Sequence, residues 1–173
     1  MLVKARGVVF VREMWSGRSV RRFLLLLLLI GLCLPVWAIE VSAGGSSHIR
    51  RPLPARGVDV VVGYVHSVER TWVEETYVAS HDGLRLHTMR WQSFSAGLPD
   101  EYDYYADGFY VSEFDVQVGP ALDYWFLPSN HVEVAVDGEV VLQGPEEPSR
   151  IVVRVRRMPL AVAAFDQLSR RHN

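Results

Sequence analysis

The sequence predicts an all-β fold: a β-sandwich of about seven or eight strands, Ig-like or an open barrel, after an N-terminal apolar helix and before a short C-terminal helix. Two observations carry this expectation. From Val58 to Val155 the chain is a succession of short β-branched and aromatic runs separated by glycine, proline and acidic turn residues. Two of the separators, Asp82-Gly83 and Asp137-Gly138, are Asp-Gly pairs that supply the positive φ a tight hairpin requires.

Residues 1–43 read as a signal peptide or signal anchor. Phe23 to Ile39 (FLLLLLLIGLCLPVWAI) contains no charge, follows Arg18, Arg21 and Arg22, and precedes Glu40. That is a cationic region followed by an apolar one. The run falls slightly short of the ~20 apolar residues of a comfortable spanning helix. A cleaved signal and an uncleaved anchor, held in the membrane through residues 23–39, therefore stand as alternatives. Val36-Trp37-Ala38 and Val41-Ser42-Ala43 each offer a cleavage site, and Met14 offers a second start. Cys33 makes no lipoprotein site, because Leu32 stands where a small residue is needed. Both alternatives keep the basic residues cytoplasmic and place the body outside, in the periplasm or on the extracytoplasmic face.

Residues 44–56 read as a linker, flexible at Gly44-Gly45-Ser46-Ser47 and stiff at Pro52 and Pro54. The sandwich domain is expected over residues 57–157. Val58 to Val68 is its first strand and Thr71 to Ala79 its second, bent at Glu69-Arg70, with Leu84 to Ser93 completing a meander. Phe94 to Asp107 reads as a long loop, since Gly97, Pro99 and four acids are poor strand formers. Strands resume at Gly108 to Phe114, Asp123 to Leu127, His131 to Val136, Glu139 to Leu142 and Ile151 to Val155. Residues 158–173 form a helical tail, with Leu160, Ala163, Ala164, Gln167 and Leu168 at helical spacing.

Charge narrows the partners. From Gly44 onward there are 12 basic against 18 acidic residues, a poor balance for binding nucleic acid. The single cysteine lies in the apolar run, so the body has no disulfide, thiol nucleophile or Cys-type metal site. No cofactor is implied.

His66, Ser67 and Glu69 hold the residue types of a hydrolase triad, but on one strand His66 and Ser67 point to opposite faces. No Gly-x-Ser-x-Gly elbow is present either, so no enzyme is expected. A metal would draw on His66, Glu75 and His131, or on Asp100, Asp103 and Asp107. Neither set has a metal-binding spacing, and no metal is assigned. Tyr102, Tyr104, Tyr105, Phe109 and Tyr110, with Tyr124, Trp125 and Phe126 further on, read as a docking face or as core filling.

Three stretches carry a resemblance. They are Tyr64-x-His66-Ser67-Val68-Glu69-Arg70-Thr71-x-Val73-x-Glu75, Ser93-Phe94-Ser95-Ala96-Gly97-Leu98-Pro99, and Asn130-His131 followed by Gly138. Together they resemble an uncharacterised bacterial and archaeal domain family, encoded beside TAXI-type receptors and membrane subunits of tripartite ATP-independent periplasmic (TRAP) transporters. The resemblance spans Val58 to Leu142 and departs at Ser95, where the family has glycine. It implies a transporter membrane subunit or solute receptor as partner and assigns no activity. The expected binding residues are His66, Glu69, Glu75, Arg90, Gly97, Pro99 and His131. The rival expectation is a periplasmic module for a small ligand or metal.

Overall fold

The computed structural model describes residues 17–94 and 97–164, and the chain divides into two compact units, Met1–Leu34 and Pro35–Asn173. In the first unit, α1 (Gly17–Cys33) is apolar on every side from Phe23 onward, after Arg18, Arg21 and Arg22, and Phe23 to Ile30 are each about half exposed. Its 17 residues rise about 25 Å. No helix among the described residues is long and apolar enough to cross a membrane.

The second unit is two antiparallel sheets, as the sequence predicts, built from eleven strands among the described residues. These are β1 (Pro35–Ala43), β2 (Ser46–Pro52), β3 (Val58–Val65), β4 (Trp72–Ser80), β5 (Gly83–Trp91), β6 (Tyr104–Ala106), β7 (Phe109–Gly119), β8 (Ala121–Phe126), β9 (Glu133–Val136), β10 (Glu139–Gln143) and β11 (Ser149–Pro159). The smaller sheet has the order β2-β1-β11-β8 and the larger β10-β9-β3-β4-β5-β7-β6. Between them Ile39, Val41, Val60, Val62, Val134 and Val153 are fully buried.

The first correction concerns the front of the domain. Residues 35–43, expected at the end of the apolar segment, form β1, an interior strand of the smaller sheet. It pairs with β11 from Pro35↔Pro159 to Ala43↔Ile151, and with β2 on its other side. The apolar helix therefore stops at Cys33, and both candidate cleavage sites lie inside a strand whose Ala38, Ile39 and Val41 have no exposed surface. The expected linker is likewise structured. Gly44 and Gly45 take φ of 57° and 83°, the two positive values of a type I′ hairpin turn, and Ser46–Pro52 returns along β1 as β2. A Gly-Gly-Ser-Ser string has the composition of a tether, but Gly-Gly is also a favoured I′ pair.

The same turn closes β6 to β7 at Asp107-Gly108 (φ 53° and 84°) and β9 to β10 at Asp137-Gly138 (φ 53° and 76°). The second was expected; the first converts the end of the predicted long loop into a hairpin. Residues 160–164 open the predicted terminal helix, where Ala163 packs with Ala38 and Met158, while Gln167 and Leu168 lie outside the described residues.

Core membership of β1 is directly testable. Ile39→Ala should cost about 2–5 kcal/mol in urea unfolding, as buried large-to-small changes do. Val116→Ala, at a half-exposed site on β7, should stay within about 0.5 kcal/mol. Equal, small effects would remove residue 39 from the core.

Candidate functional site

β3 ends at Val65 and β4 begins at Trp72, so His66 to Thr71 form a closed turn and not the strand end that the sequence predicts. The His66 amide donates to the Thr71 carbonyl at 2.8 Å, and the Arg70 amide to the His66 carbonyl at 3.0 Å. Arg70 adopts φ 58° to close the turn. The Glu69 amide points at His66 Nδ1 at 3.5 Å. Glu69 and His66 thus interact locally, and the alternation argument that separated His66 from Ser67 does not operate in a turn. Ser67 to Arg70 are exposed, with Val68 at 69%.

A neighbouring segment braces this turn. Asn130, in the 3-10 turn Pro128–Asn130, is 7% exposed; its Oδ1 accepts the Leu127 amide at 2.8 Å and its Nδ2 donates to the Val65 carbonyl at 2.9 Å. His131 follows it in the left-handed region (φ 45°), exposed, with its amide donating to Pro128. Asn130, which was not among the predicted binding residues, is therefore the buried polar anchor of the pair. Its signals in the sequence were its place in the Asn130-His131 stretch and a polar side chain beside a histidine in a Pro-containing turn.

The loop after Ser93 closes over the same end. Val73, Met89 and Trp91 form a buried cluster, against which Leu98 and Tyr110 pack. Tyr110 is the hub of the aromatics: Phe94, Tyr102 and Tyr105 lie 4.4, 4.9 and 5.0 Å from it, ring centre to ring centre. Phe94, Tyr102, Tyr104 and Tyr105 remain 43–59% exposed, so the aromatic density both fills a cluster and forms a surface. Gly97 takes φ 90°, beside the half-buried Pro99; Ser95 and Ala96 lie outside the described residues. Asp103 accepts the Glu113 amide at 2.8 Å, which binds the loop to β7.

Glu75 faces inward from β4, and three phenols meet its carboxylate. Tyr64 donates to Oε1 at 3.0 Å, while Tyr77 and Tyr124 approach Oε2 at 2.6 and 2.5 Å. The hydroxyls of Tyr77 and Tyr124 are also 2.8 Å apart. Tyr124 belongs to the smaller sheet, so the group clasps the two sheets together. Burial first, then the Glu75 charge, pushes all three phenols well above the ordinary tyrosine range.

Register places the pieces. Val65↔Trp72, Val73↔Trp91 and Trp91↔Tyr110 bring the His66–Thr71 turn, the Gly97–Pro99 loop and the β6-β7 hairpin to one end of the larger sheet, where Asn130 ties in the third stretch. Glu75 sits inside that end. Arg90 does not join it: it pairs with its cross-strand neighbour Glu74 at 3.1 Å and lies over the Phe109 ring. Among the described residues no three His, Cys, Asp or Glu side chains come together to hold a metal ion, so His66, Glu75 and His131 occupy separate roles.

Two expectations follow from this geometry. Because the three phenols are raised, the clasp contributes fully below the unfolded tyrosine value of about 10 and loses that contribution as pH rises through the folded values. The phenolate signals of Tyr64, Tyr77 and Tyr124, isolated with their Phe variants, should therefore appear only as the chain unfolds in alkali; ionisation in the native state would refute this. Asn130→Ala should cost about 1–3 kcal/mol, since it orphans two buried backbone groups, and should loosen amide exchange in residues 65–72 before the rest of the sheet.

Residues 60–142 match the model of a family described as a domain of unknown function (DUF1850). No curated protein and no solved structure matches the chain. The matched segment runs from within β3 to within β10: all of the larger sheet but the first two residues of β3 and the last of β10, together with β8, the turn, the loop and Asn130. This segment is similar to an uncharacterised domain family.

Proposed function

We propose that this protein is a non-enzymatic, exported or membrane-tethered accessory of a TAXI-type TRAP solute transporter. It docks to a transporter membrane subunit or to the solute receptor. The observation that carries the reading is the convergence of the first two resemblance-bearing stretches and the Asn130-His131 start of the third at one end of the sandwich, beside Val68, Phe94, Tyr102, Tyr105 and Leu127 as exposed apolar groups; Gly138 lies at the opposite end of β9. Monomeric surfaces rarely gather apolar rings this way unless something covers them.

The membrane-proximal part of the reading is supported by α1. A helix that is apolar all round suits lipid or a protein core and not water. Cleavage after Ala38 or Ala43 would sever β1 and remove buried core residues, which favours retention of the apolar segment with its basic end cytoplasmic. The metal form of the rival reading loses its donor set, because the oxygens of Glu75 are taken by phenols.

Affinity purification of the full chain, co-expressed with the transporter subunits and mildly solubilised, should recover a membrane subunit or the receptor. Val68→Glu combined with Tyr102→Glu should reduce that recovery at least about tenfold, since burying a charge at an interface core costs more than 1.4 kcal/mol. Recovery of the folded chain with neither component would overturn the proposal.

A further inference from the structure

The outward face of the smaller sheet carries a cleft of about 280 Å³ on β1, β2 and β11. These strands lie outside the family-matched residues, and the cleft is separate from the docking end. Four guanidinium groups line it: Arg50 from β2 and Arg150, Arg154 and Arg156 from β11. Two carboxylates answer them. Glu40, only 6% exposed, takes a two-pronged contact from Arg156 (Nε to Oε2 2.9 Å, Nη2 to Oε1 3.1 Å) and one from Arg50 Nε at 3.0 Å. Burial pushes the Glu40 carboxyl up, but these two arginines prevail and hold it below the usual carboxylate range. Asp123, at the margin, pairs with Arg150.

Arg154 is left over. It stands directly opposite Glu40 in register, yet Glu40 is occupied by Arg50 and Arg156, and among the described residues no carboxylate lies within ion-pair distance of Arg154. Ser42 and Ser47, paired across β1 and β2, line the same cleft; the Ser47 hydroxyl is shielded from solvent and has no hydrogen-bond partner among the described residues. The chain is acidic overall, yet this face carries four positive charges against two negative ones.

We infer that this cleft is a binding site for a phosphate monoester, with Arg154, the guanidinium of its lining that has no carboxylate partner among the described residues, as the principal charged donor. A dianionic phosphate cancels the surplus of two positive charges, and guanidinium forks match its oxygens in pairs. A carboxylate ligand would cancel only one charge. The volume suits a phosphate with a small substituent. The same chemistry is offered by a soluble phosphate compound and by the headgroup of phosphatidic acid.

The full chain in detergent, titrated calorimetrically, should bind inorganic phosphate more tightly than acetate. Arg154→Ala should weaken the phosphate at least about tenfold, the loss of one charge-assisted contact. Arg85→Ala, which removes an exposed pair with Asp115 on the other sheet, should leave binding unchanged. Arg154 is exposed, and matching thermal midpoints for the two variants will confirm that both fold. Flotation with phosphatidylcholine vesicles, with and without phosphatidic acid, separates the sources. Binding to free phosphate that depends on Arg154 assigns a soluble ligand, whereas vesicle binding that needs both phosphatidic acid and Arg154 assigns the headgroup. Absence of both, equal affinity for acetate, or indifference to Arg154→Ala would overturn the site.

Discussion

The sandwich depends on β1 lying between β2 and β11. Without it the smaller sheet loses an interior strand, and the inner faces of β3 and β9 lose the cover that Ile39 and Val41 provide. The chain therefore uses residues immediately after an apolar helix as core, with Leu34 alone between Cys33 and Pro35. That economy constrains processing: a cut within residues 35–43 removes part of the fold along with the apolar helix. It also explains why the expected tether is absent from residues 44–56, since the chain must turn at once to lay β2 against β1.

Two half-hidden carboxylates then organise the rest, by different means. Glu75 looks inward and is met by phenols, neutral donors that are themselves buried, so the clasp ties the sheets with one charge in the interior. Glu40 looks outward and is met by guanidinium groups, which keep it charged at the surface of the smaller sheet. A buried charge needs donors, and the interior supplies them from tyrosines where the outer face uses arginines. In a body without cysteine, such ties replace covalent ones. They also divide the labour: one carboxylate secures the sheets to each other, and the other leaves an arginine unspent.

The fold class was legible because β-branched runs and turn residues alternate at strand spacing, and Asp137-Gly138 marked its hairpin correctly. What the sequence hid has specific causes. Residues 35–43 continue a hydrophobic run seamlessly, so local pattern cannot separate a helix that ends at Cys33 from a strand that begins at Pro35. Tyr104–Ala106 is three residues among acids, too short for propensity to register, and only its pairing with Phe109–Val111 makes it a strand. In the candidate site, Glu69 lies at the expected bend and Gly97 in the expected loop, whereas His66 lies in the turn and not on the expected strand. Glu75 could not be known to meet Tyr124, 49 residues on, nor Asn130 to reach the Val65 carbonyl. The Arg90–Glu74 pair is likewise set by β4-β5 register.

Polar side chains of the candidate site's turns meet backbone groups: Asn130 reaches the Val65 carbonyl and the Leu127 amide, and His66 Nδ1 faces the Glu69 amide. Turns His66–Thr71 and Leu127–His131 must both end strands at the same edge, and each needs its backbone groups satisfied where water is partly excluded. Asn130 does this for both at once, and His66 and Glu69 do it within their own turn. Once the edge is fixed, Leu98 can seat on the Trp91 cluster and the Tyr110 rings can project beyond it. On the proposed docking reading, the turn residues and the exposed rings beside them are two parts of one arrangement: a fixed edge presents the rings with little left to order on binding.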